Sequence, residues 1–286
     1  MQDTGPMPAA MDAPGGRLSR RNFNRLAAFI ADYSGIRLPE SKLTMLEGRL
    51  RRRLRATGLP DLDTYCDHVF TSGRLNGEML HLIDAITTNK TDFFRESGHF
   101  TFLRETGLPA LADAGVRRLR GWSAACSTGA EPYSLAMVLE ADFQAPDRTW
   151  SILATDLSRQ VLEIAREGIY PEDQLVPVPD DLRRRFLLAA TDPARREMRI
   201  HPRLRARTGF ARLNLMDSRY EVGDPMHVVF CRNVLIYFDR ATQARVLARL
   251  CEVLAPGGYL FIGHAESAAG LDLPLRPVGN TAFQRV

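Results

Sequence analysis

Beyond Arg117, four short apolar runs, "GWSAAC", "WSILATD", "HVVFCRN" and "YLFIGH", alternate with stretches of helical period. Strands this continuously apolar leave no polar face for water, so they predict an α/β fold with a parallel sheet covered on both sides by helices. One covering helix is "RATQARVLARLCEVL", with Val246, Leu247, Leu250, Val253 and Leu254 on one face, Asp239 as N-cap and "PGG" as its stop. The chain finishes in "LRPVGNTAFQRV", two strand candidates about a Gly-Asn turn, which reads as an antiparallel edge hairpin.

The first part has another character. From Asn22 to about Phe70 the apolar pattern is helical, broken at "SGIRLPE" and "ATGLPD", with no strand-like alternation. The expected organisation is a disordered Pro/Gly/Ala-rich tail over 1–16, a small all-helical domain over 17–75, a linker over 76–92 in which "RLNGEMLHLIDAITTN" forms a connecting helix and turn, and the α/β domain over 93–286. A chain of 286 residues, 45% hydrophobic and 25% charged, can bury a core in each domain. No apolar stretch is long enough to span a bilayer, so no direct membrane insertion is expected. The cysteines Cys66, Cys126, Cys231 and Cys251 are scattered without a CxxC pair, which suits reduced thiols in the cytoplasm and predicts no metal site.

In open α/β sheets, ligands bind beyond the carboxyl ends of the strands. After the first strand comes "CSTGAEP". Gly129 permits a tight turn, Pro132 suits a helix start, and Glu131 sits near the positive end of that helix. Glu131 reads either as dipole complementarity, with Thr128 in a capping box, or as a ligand group. An acid there repels a pyrophosphate, and the GxGxxG spacing is absent, so a dinucleotide is disfavoured. After the second strand comes Asp156, which suits the two hydroxyls of a ribose, or an N-cap that Ser158 can supply instead. After the fourth come Arg232 and Asn233, a polar pair abruptly following a buried run, with Tyr237 a few residues on. A small-residue loop, a ribose acceptor and an acid in place of phosphate binders suit an adenosine ligand carrying positive charge, as S-adenosylmethionine does.

The segments "ITTNKTDFFRE", "WSAACSTGAEPYSLAM", "ATDLSRQVLEIAREGIY", "FCRNVLIYFDRATQ" and "LAPGGYLFIGHAES" together resemble the CheR family, the chemotaxis-receptor glutamate O-methyltransferases. The likeness runs from about Arg20 to the C-terminus with the motifs in order. It implies a class I methyltransferase fold, a Rossmann-like doubly wound sheet, behind the helical domain. It implies S-adenosyl-L-methionine as cofactor, with S-adenosyl-L-homocysteine as product. The cofactor contacts it implies are Asn89, Thr91, Arg95, Glu131, Asp156, Asn214, Leu215, Arg232 and Asn233. Taken alone, Thr91 also reads as an N-cap and Asn89 as a turn residue.

The implied reaction moves a methyl group to a glutamate side chain. An exposed glutamate has a pKa of about 4.3 and is already a carboxylate at neutral pH, so no general base is required. Arg95 and Tyr237 are the side chains expected at the reacting carboxylate, positioning it rather than activating it. His264 and Glu266, in "GHAES", read as a structural pair near the cleft.

The segment "SKLTMLEGRLRRRLRATGL" reads as a helix with Leu43, Leu46, Leu50 and Leu54 on one side. Lys42, Arg49 and Arg53 form a neighbouring stripe that Arg52 flanks, and a net charge of +4 suits an acidic partner. The resemblance implies that this helix meets the glutamate-rich cytoplasmic helices of a methyl-accepting chemotaxis receptor. An insertion over 171–207, with "EMRIHP" and "RLRART", reads as a small antiparallel β-subdomain. Some CheR members grip a receptor C-terminal pentapeptide with glycines in its loop. The corresponding "LLAATDPARRE" has none, which points to a pentapeptide-independent enzyme. No long heptad suggests a coiled-coil dimer, and a monomer is expected.

Two rivals stand beside this reading. A nucleic-acid methyltransferase also combines such a sheet with basic charge, yet interleaved aromatics for base stacking are missing and no nucleic-acid partner is expected. A non-catalytic regulator that binds the cofactor and docks on a receptor retains the same motifs.

Overall fold

The computed structural model describes residues 16–71, 75–87, 90–192 and 194–286. Most of the tail expected over 1–16 therefore lies outside the described residues, as does Asn89. The chain divides into two compact units, one holding residues 37–87 with the first helix, the other residues 88–286 with a short excursion at 34–36.

The first unit is helical: α1 (Arg20–Ser34), α2 (Leu43–Thr57), α3 (Leu62–Thr71) and α4 (Leu75–Ile86). Helix α2 buries Leu46, Leu50 and Leu54 on one face, and Gly58 ends it in the left-handed conformation at φ 69° that glycine adopts without a Cβ penalty. The helix expected in the linker over 76–92 is α4, but it belongs to the helical unit rather than connecting it to the second. The reason is polar: the Glu78 carboxylate takes Arg53 Nε at 2.7 Å, Arg53 Nη2 at 2.5 Å and the Tyr65 hydroxyl at 2.9 Å. Arg49 Nη1 adds bonds to the carbonyls of Ala85 and Thr87 at 3.2 and 2.8 Å, capping the C-terminal end of α4.

The second unit opens with α5 (Gly98–Phe102) and α6 (Leu108–Asp113), joined through a π-turn at Leu103–Gly107. There follow β1 (Arg118–Ala124), α7 (Ala130–Asp142), β2 (Thr149–Asp156), α8 (Arg159–Glu167), β3 (Ile169–Pro171), α9 (Asp180–Phe186), β4 (Leu187–Ala189), β5 (Glu197–Ile200), α10 (Pro202–Arg205) and β6 (Thr208–Arg212). Then come β7 (Met226–Cys231), α11 (Arg240–Val253), β8 (Leu254–Ile262), β9 (Leu275–Gly279) and β10 (Ala282–Arg285). The main sheet has the order β6-β2-β1-β7-β8-β10-β9. Its first five strands are parallel, while β10 runs antiparallel to β8 and β9 antiparallel to β10.

Alternation along the strands explains why the sequence runs read as continuously apolar. Val228 and Phe230 of β7, with Tyr259 and Phe261 of β8, face a core that includes Leu135 and Leu139 of α7. Val229, Cys231, Leu260 and Ile262 face the opposite core, with Val246, Leu247 and Leu250 of α11. Asp239 caps α11 as expected, its Oδ1 accepting from the Thr242 amide at 2.8 Å. The "PGG" segment does not end that helix. The backbone is already extended at Leu254 (φ −78°, ψ 133°), and "PGG" lies inside β8.

The insertion forms a three-stranded antiparallel sheet in the order β3-β5-β4. "EMRI" is its central strand, but "RLRART" is not a strand. Pro202 starts a single helical turn there, with His201 Nδ1 accepting from the Arg203 amide at 3.1 Å, and the chain then enters β6.

Candidate active site

The strand order reverses between β1 and β7, and the loops at their carboxyl ends form the crevice expected of such a sheet. The backbone there is strained. Of the non-glycine residues at positive φ, Phe94, Glu96, Ala125, Ser127 and Asn233 all lie in the segments that gather around this edge. Gly129, at φ 95°, has no freedom to be another residue. A Cβ on it would stand 2.7 Å from the Tyr170 hydroxyl and 2.9 Å from Ala165 Cβ.

Glu131 lies in the first turn of α7, and no side chain caps that helix, so the Thr128 capping box does not form. Instead Ser123 Oγ donates to Glu131 Oε1 at 2.7 Å, and Arg232 Nη1 stands 3.4 Å from Oε2. Burial holds the Glu131 carboxyl above its ordinary range, with Arg232 and Ser123 working against that shift.

Asp156 closes β2 and is nearly buried. Its Oδ2 accepts from the Ser127 amide and its Oδ1 from the Ser158 amide, both at 2.9 Å. It therefore fixes the loop after β1. The N-cap of α8 is Ser158, whose Oγ accepts from the Val161 amide at 3.4 Å.

Arg232, at the end of β7, is 1% exposed along its side chain. Its Nη2 donates to Glu96 Oε2 at 3.0 Å and to the carbonyl of Arg95, and its Nε lies 3.3 Å from the same Glu96 oxygen. The guanidinium also packs over Phe100 and Phe230. Its Nε and Nη2 donors are thus used inside the protein, while Nη1 stands in the ion pair with Glu131. Asn233 Nδ2 donates to Glu96 Oε1 at 3.1 Å.

Glu266 and His264 are not partners. The Glu266 carboxylate accepts from the amides of Gly263, Asn233, Leu235 and Ile236 at 2.5, 3.0, 2.7 and 3.3 Å. The His264 amide goes to Glu96 at 3.2 Å. Gly263 lets these groups meet, since a Cβ there would stand 2.5 Å from Asn233 Nδ2 and 2.9 Å from Glu266 Oε2.

Arg95 and Tyr237 are both half-buried. Arg95 Nη1 makes a bond of 3.3 Å to the carbonyl of Lys90, and Tyr237 ends the 3-10 turn after β7. Thr91 is half-buried before the same segment. Leu215 is 7% exposed in the second core, and Asn214 Oδ1 accepts from the Met216 amide at 3.0 Å.

Glu96 was missed by the sequence reading, although it stands inside the quoted "FFRE". His99 was missed too. Its Nε2 lies 3.0 Å from the Asn280 carbonyl, which only accepts, so the proton belongs on Nε2 and Nδ1 is left as an unpaired lone pair 3.6 Å from Glu96 Oε2. Burial, with Arg232 nearby, pushes His99 down to about 4, so the ring is neutral. Glu96, His99 and His264 bring three ligand-type atoms within 4.8 Å of one another. That cluster already holds a cation in Arg232, and a metal ion beside the same Glu96 oxygen would meet a buried positive charge.

A mostly parallel doubly wound sheet with an antiparallel edge hairpin, an acid in the first loop and an acid closing the second strand defines a class I methyltransferase rather than a dinucleotide-binding protein. A family model described as "CheR methyltransferase, SAM binding domain" matches residues 89–283, and one described as "CheR methyltransferase, all-alpha domain" matches residues 21–87. The chain belongs to the CheR methyltransferase family. It is 39% identical over 269 residues to a chemotaxis protein methyltransferase of Escherichia coli K12, covering 93% of this chain and 91% of that relative. It is 37% identical over 271 residues to chemotaxis protein methyltransferase 2 of Pseudomonas aeruginosa, covering 93% of each chain. A chemotaxis protein methyltransferase of Borreliella burgdorferi is 36% identical over 260 residues, covering 88% and 90% respectively. Among the described residues, no helix is long and apolar enough to cross a membrane.

Proposed function

We propose that this protein transfers the methyl group of S-adenosylmethionine to glutamate side chains of a chemoreceptor, giving methyl esters during sensory adaptation. The observation that carries the reading is that two acids, Glu131 and Asp156, stand at a small-residue loop, while Arg232, the cation beside Glu131, is also held by Glu96. Such a site suits a ribose and a positive charge and repels phosphate. Glu131 fits the cofactor's ammonium because burial leaves that carboxyl short of compensating charge. Asn89, Thr91, Arg95, Asn214, Leu215 and Asn233 complete the proposed cofactor contacts, with Arg232 acting through the residues it holds.

The bound cofactor supplies a methyl group on a sulfonium, a leaving group that departs as a neutral thioether. The protein's part is orientation and exclusion of water, and in-line placement of this kind corresponds to effective molarities of roughly 10⁵–10⁸ M. Arg95 orients the incoming carboxylate by charge-assisted bonds, and Tyr237 donates one hydrogen bond. Both act by placement, since a tight clamp would draw electron density from the attacking oxygen.

Lys42 and Arg52 are exposed on the first unit and remain candidates for acidic receptor helices, while Arg49 and Arg53 hold α4. The glycine-free segment between β4 and β5 supports a pentapeptide-independent enzyme.

The test is incubation with radiolabelled S-adenosylmethionine and receptor-bearing membranes, followed by base. Methanol released from receptor bands is the expected result. Label that resists base, or label on nucleic acid, would overturn the reading. Substituting Arg95→Ala is expected to abolish transfer.

A further inference from the structure

The segment carrying Arg95 is anchored on one side by apolar packing, Phe93 against Tyr170 and Phe94 against Phe100, and on the other by polar contacts that pass through its neighbour. Phe94 and Glu96 flank Arg95 with φ of 52° and 55°, conformations that persist only when surrounding bonds enforce them. The Phe94 amide donates to Ser134 Oγ at 2.9 Å, and the Arg95 carbonyl accepts from Arg232. The side-chain hydrogen bonds from this turn to the strand ends otherwise converge on the Glu96 carboxylate. Oε1 accepts from Asn233 Nδ2 at 3.1 Å and from the His264 amide at 3.2 Å. Oε2 accepts from Arg232 Nη2 at 3.0 Å and from Arg232 Nε at 3.3 Å. Glu96 thus joins the residue after Arg95 to the carboxyl ends of both β7 and β8. Its side chain is 13% exposed, so it presents little surface to a substrate.

Resting on the methyl-transfer reading above, we infer that Glu96 is a positioning residue that sets where Arg95 stands relative to the reacting carboxylate. A free carboxylate of this charge beside the site would compete with the substrate carboxylate for Arg95. Four donors saturating Glu96 prevent that, and they leave the Arg95 guanidinium, whose Nη1 bonds the Lys90 carbonyl at 3.3 Å, available to an incoming acid. Removing the carboxylate loosens the strained turn, and displacement of a positioning group by about 1 Å costs on the order of 100-fold in rate.

The experiment is a double-substitution cycle with Glu96→Gln and Arg95→Lys, following kcat, the KM for S-adenosylmethionine and the thermal unfolding transition. Glutamine keeps the volume of the side chain but brings an NH2 group among four donors. Glu96→Gln alone is expected to lower kcat by about 100-fold with the cofactor KM little changed. In the Arg95→Lys background the same change is expected to cost no more than about threefold further, the signature of two residues acting as a unit. Multiplicative losses in the double variant would overturn the inference, and so would parallel loss of cofactor binding, which marks a general scaffold. Glu96→Asp, which keeps the charge, is expected to recover part of kcat. Recovery in Glu96→Gln and not in Glu96→Asp would also overturn it. Failure of the methylation reading shows separately, in the unmutated protein, as an absence of base-labile label, and the inference then falls with it.

Discussion

The buried guanidinium of Arg232 stands 3.0 Å from Glu96 and 3.4 Å from Glu131, so one cation serves two carboxylates on different chain segments. The arrangement has one negative charge more than it neutralises. Glu96 takes most of the compensation: burial opposes its charge, but the bonds from Asn233, Arg232 and the His264 amide bring its carboxyl below the ordinary range. Glu131 takes the remainder and is raised. Two acids with opposite shifts around one arginine divide the work, one holding structure and the other left wanting a cation.

Arg232→Met removes the shared cation while keeping much of its apolar packing. Two partly enclosed carboxylates are then left facing each other, and the expected destabilisation is about 3–5 kcal/mol, as for breaking a buried pair. Denaturant unfolding measures it. A loss below about 1 kcal/mol, the range of a surface pair, would mean that water readily replaces the guanidinium.

Glu131 makes cofactor affinity depend on pH. A carboxyl raised in the folded state contributes stability that is present below its unfolded value of about 4.3 and is lost as pH rises through the folded value. Binding of a cationic ligand has the opposite slope, strengthening as pH climbs through that folded value and Glu131 ionises. Calorimetric titration with S-adenosylhomocysteine, whose ammonium remains charged, is expected to show tighter binding from weakly acid to neutral pH. Glu96, Glu266 and Arg232 face the same carboxyl, so Glu131→Gln serves as the control and is expected to flatten the profile. An equal slope in that variant would transfer the effect to another group.

Asp156→Asn tests a carboxylate with two duties. Both of its oxygens accept backbone amides, and asparagine leaves one of those amides facing an NH2 group. Stability is expected to fall by about 1–3 kcal/mol. The Kd for S-adenosylhomocysteine is expected to rise by at least about tenfold, which corresponds to 1.4 kcal/mol. Lost stability with unchanged affinity, compared by chemical unfolding and calorimetry, would reduce Asp156 to a loop anchor.

Glu78→Gln and Arg52→Glu separate the folding of the helical unit from its surface. Glu78 takes two bonds from Arg53 and one from Tyr65, and its carboxyl is lowered chiefly by Arg53. Its contribution is present above the unfolded value and is lost as pH falls through the folded one. Glu78→Gln is expected to cost about 1–3 kcal/mol at neutral pH. Arg52→Glu, on an exposed position, is expected to change stability by no more than about 0.5 kcal/mol while weakening receptor binding in a pull-down from solubilised membranes. Unchanged receptor binding would remove Arg52 from the proposed surface.

Much of this protein was determined by local sequence. The period of the apolar residues specified a helical first unit and a parallel sheet, because a strand enclosed on both faces has no position for a polar side chain. Gly129, Asp156 and Ser158 were legible for the same kind of reason: a tight turn, a strand-ending acid and a helix cap are short-range requirements. The tertiary structure decided what the charges do. Arg49 and Arg53 read as a free basic stripe until α4 brought Glu78 and two carbonyls against them. Glu266 read as the partner of His264 until four amides from two loops closed on it. Glu96 was unremarked beside Arg95, because a lone glutamate in a turn carries no periodic signal. Its role exists only once β7 and β8 deliver Asn233, Arg232 and the His264 amide, from positions 136 to 168 residues away, to one carboxylate. Hydrophobic patterning is written residue by residue, whereas the state of a buried charge is set by whichever groups the fold places around it.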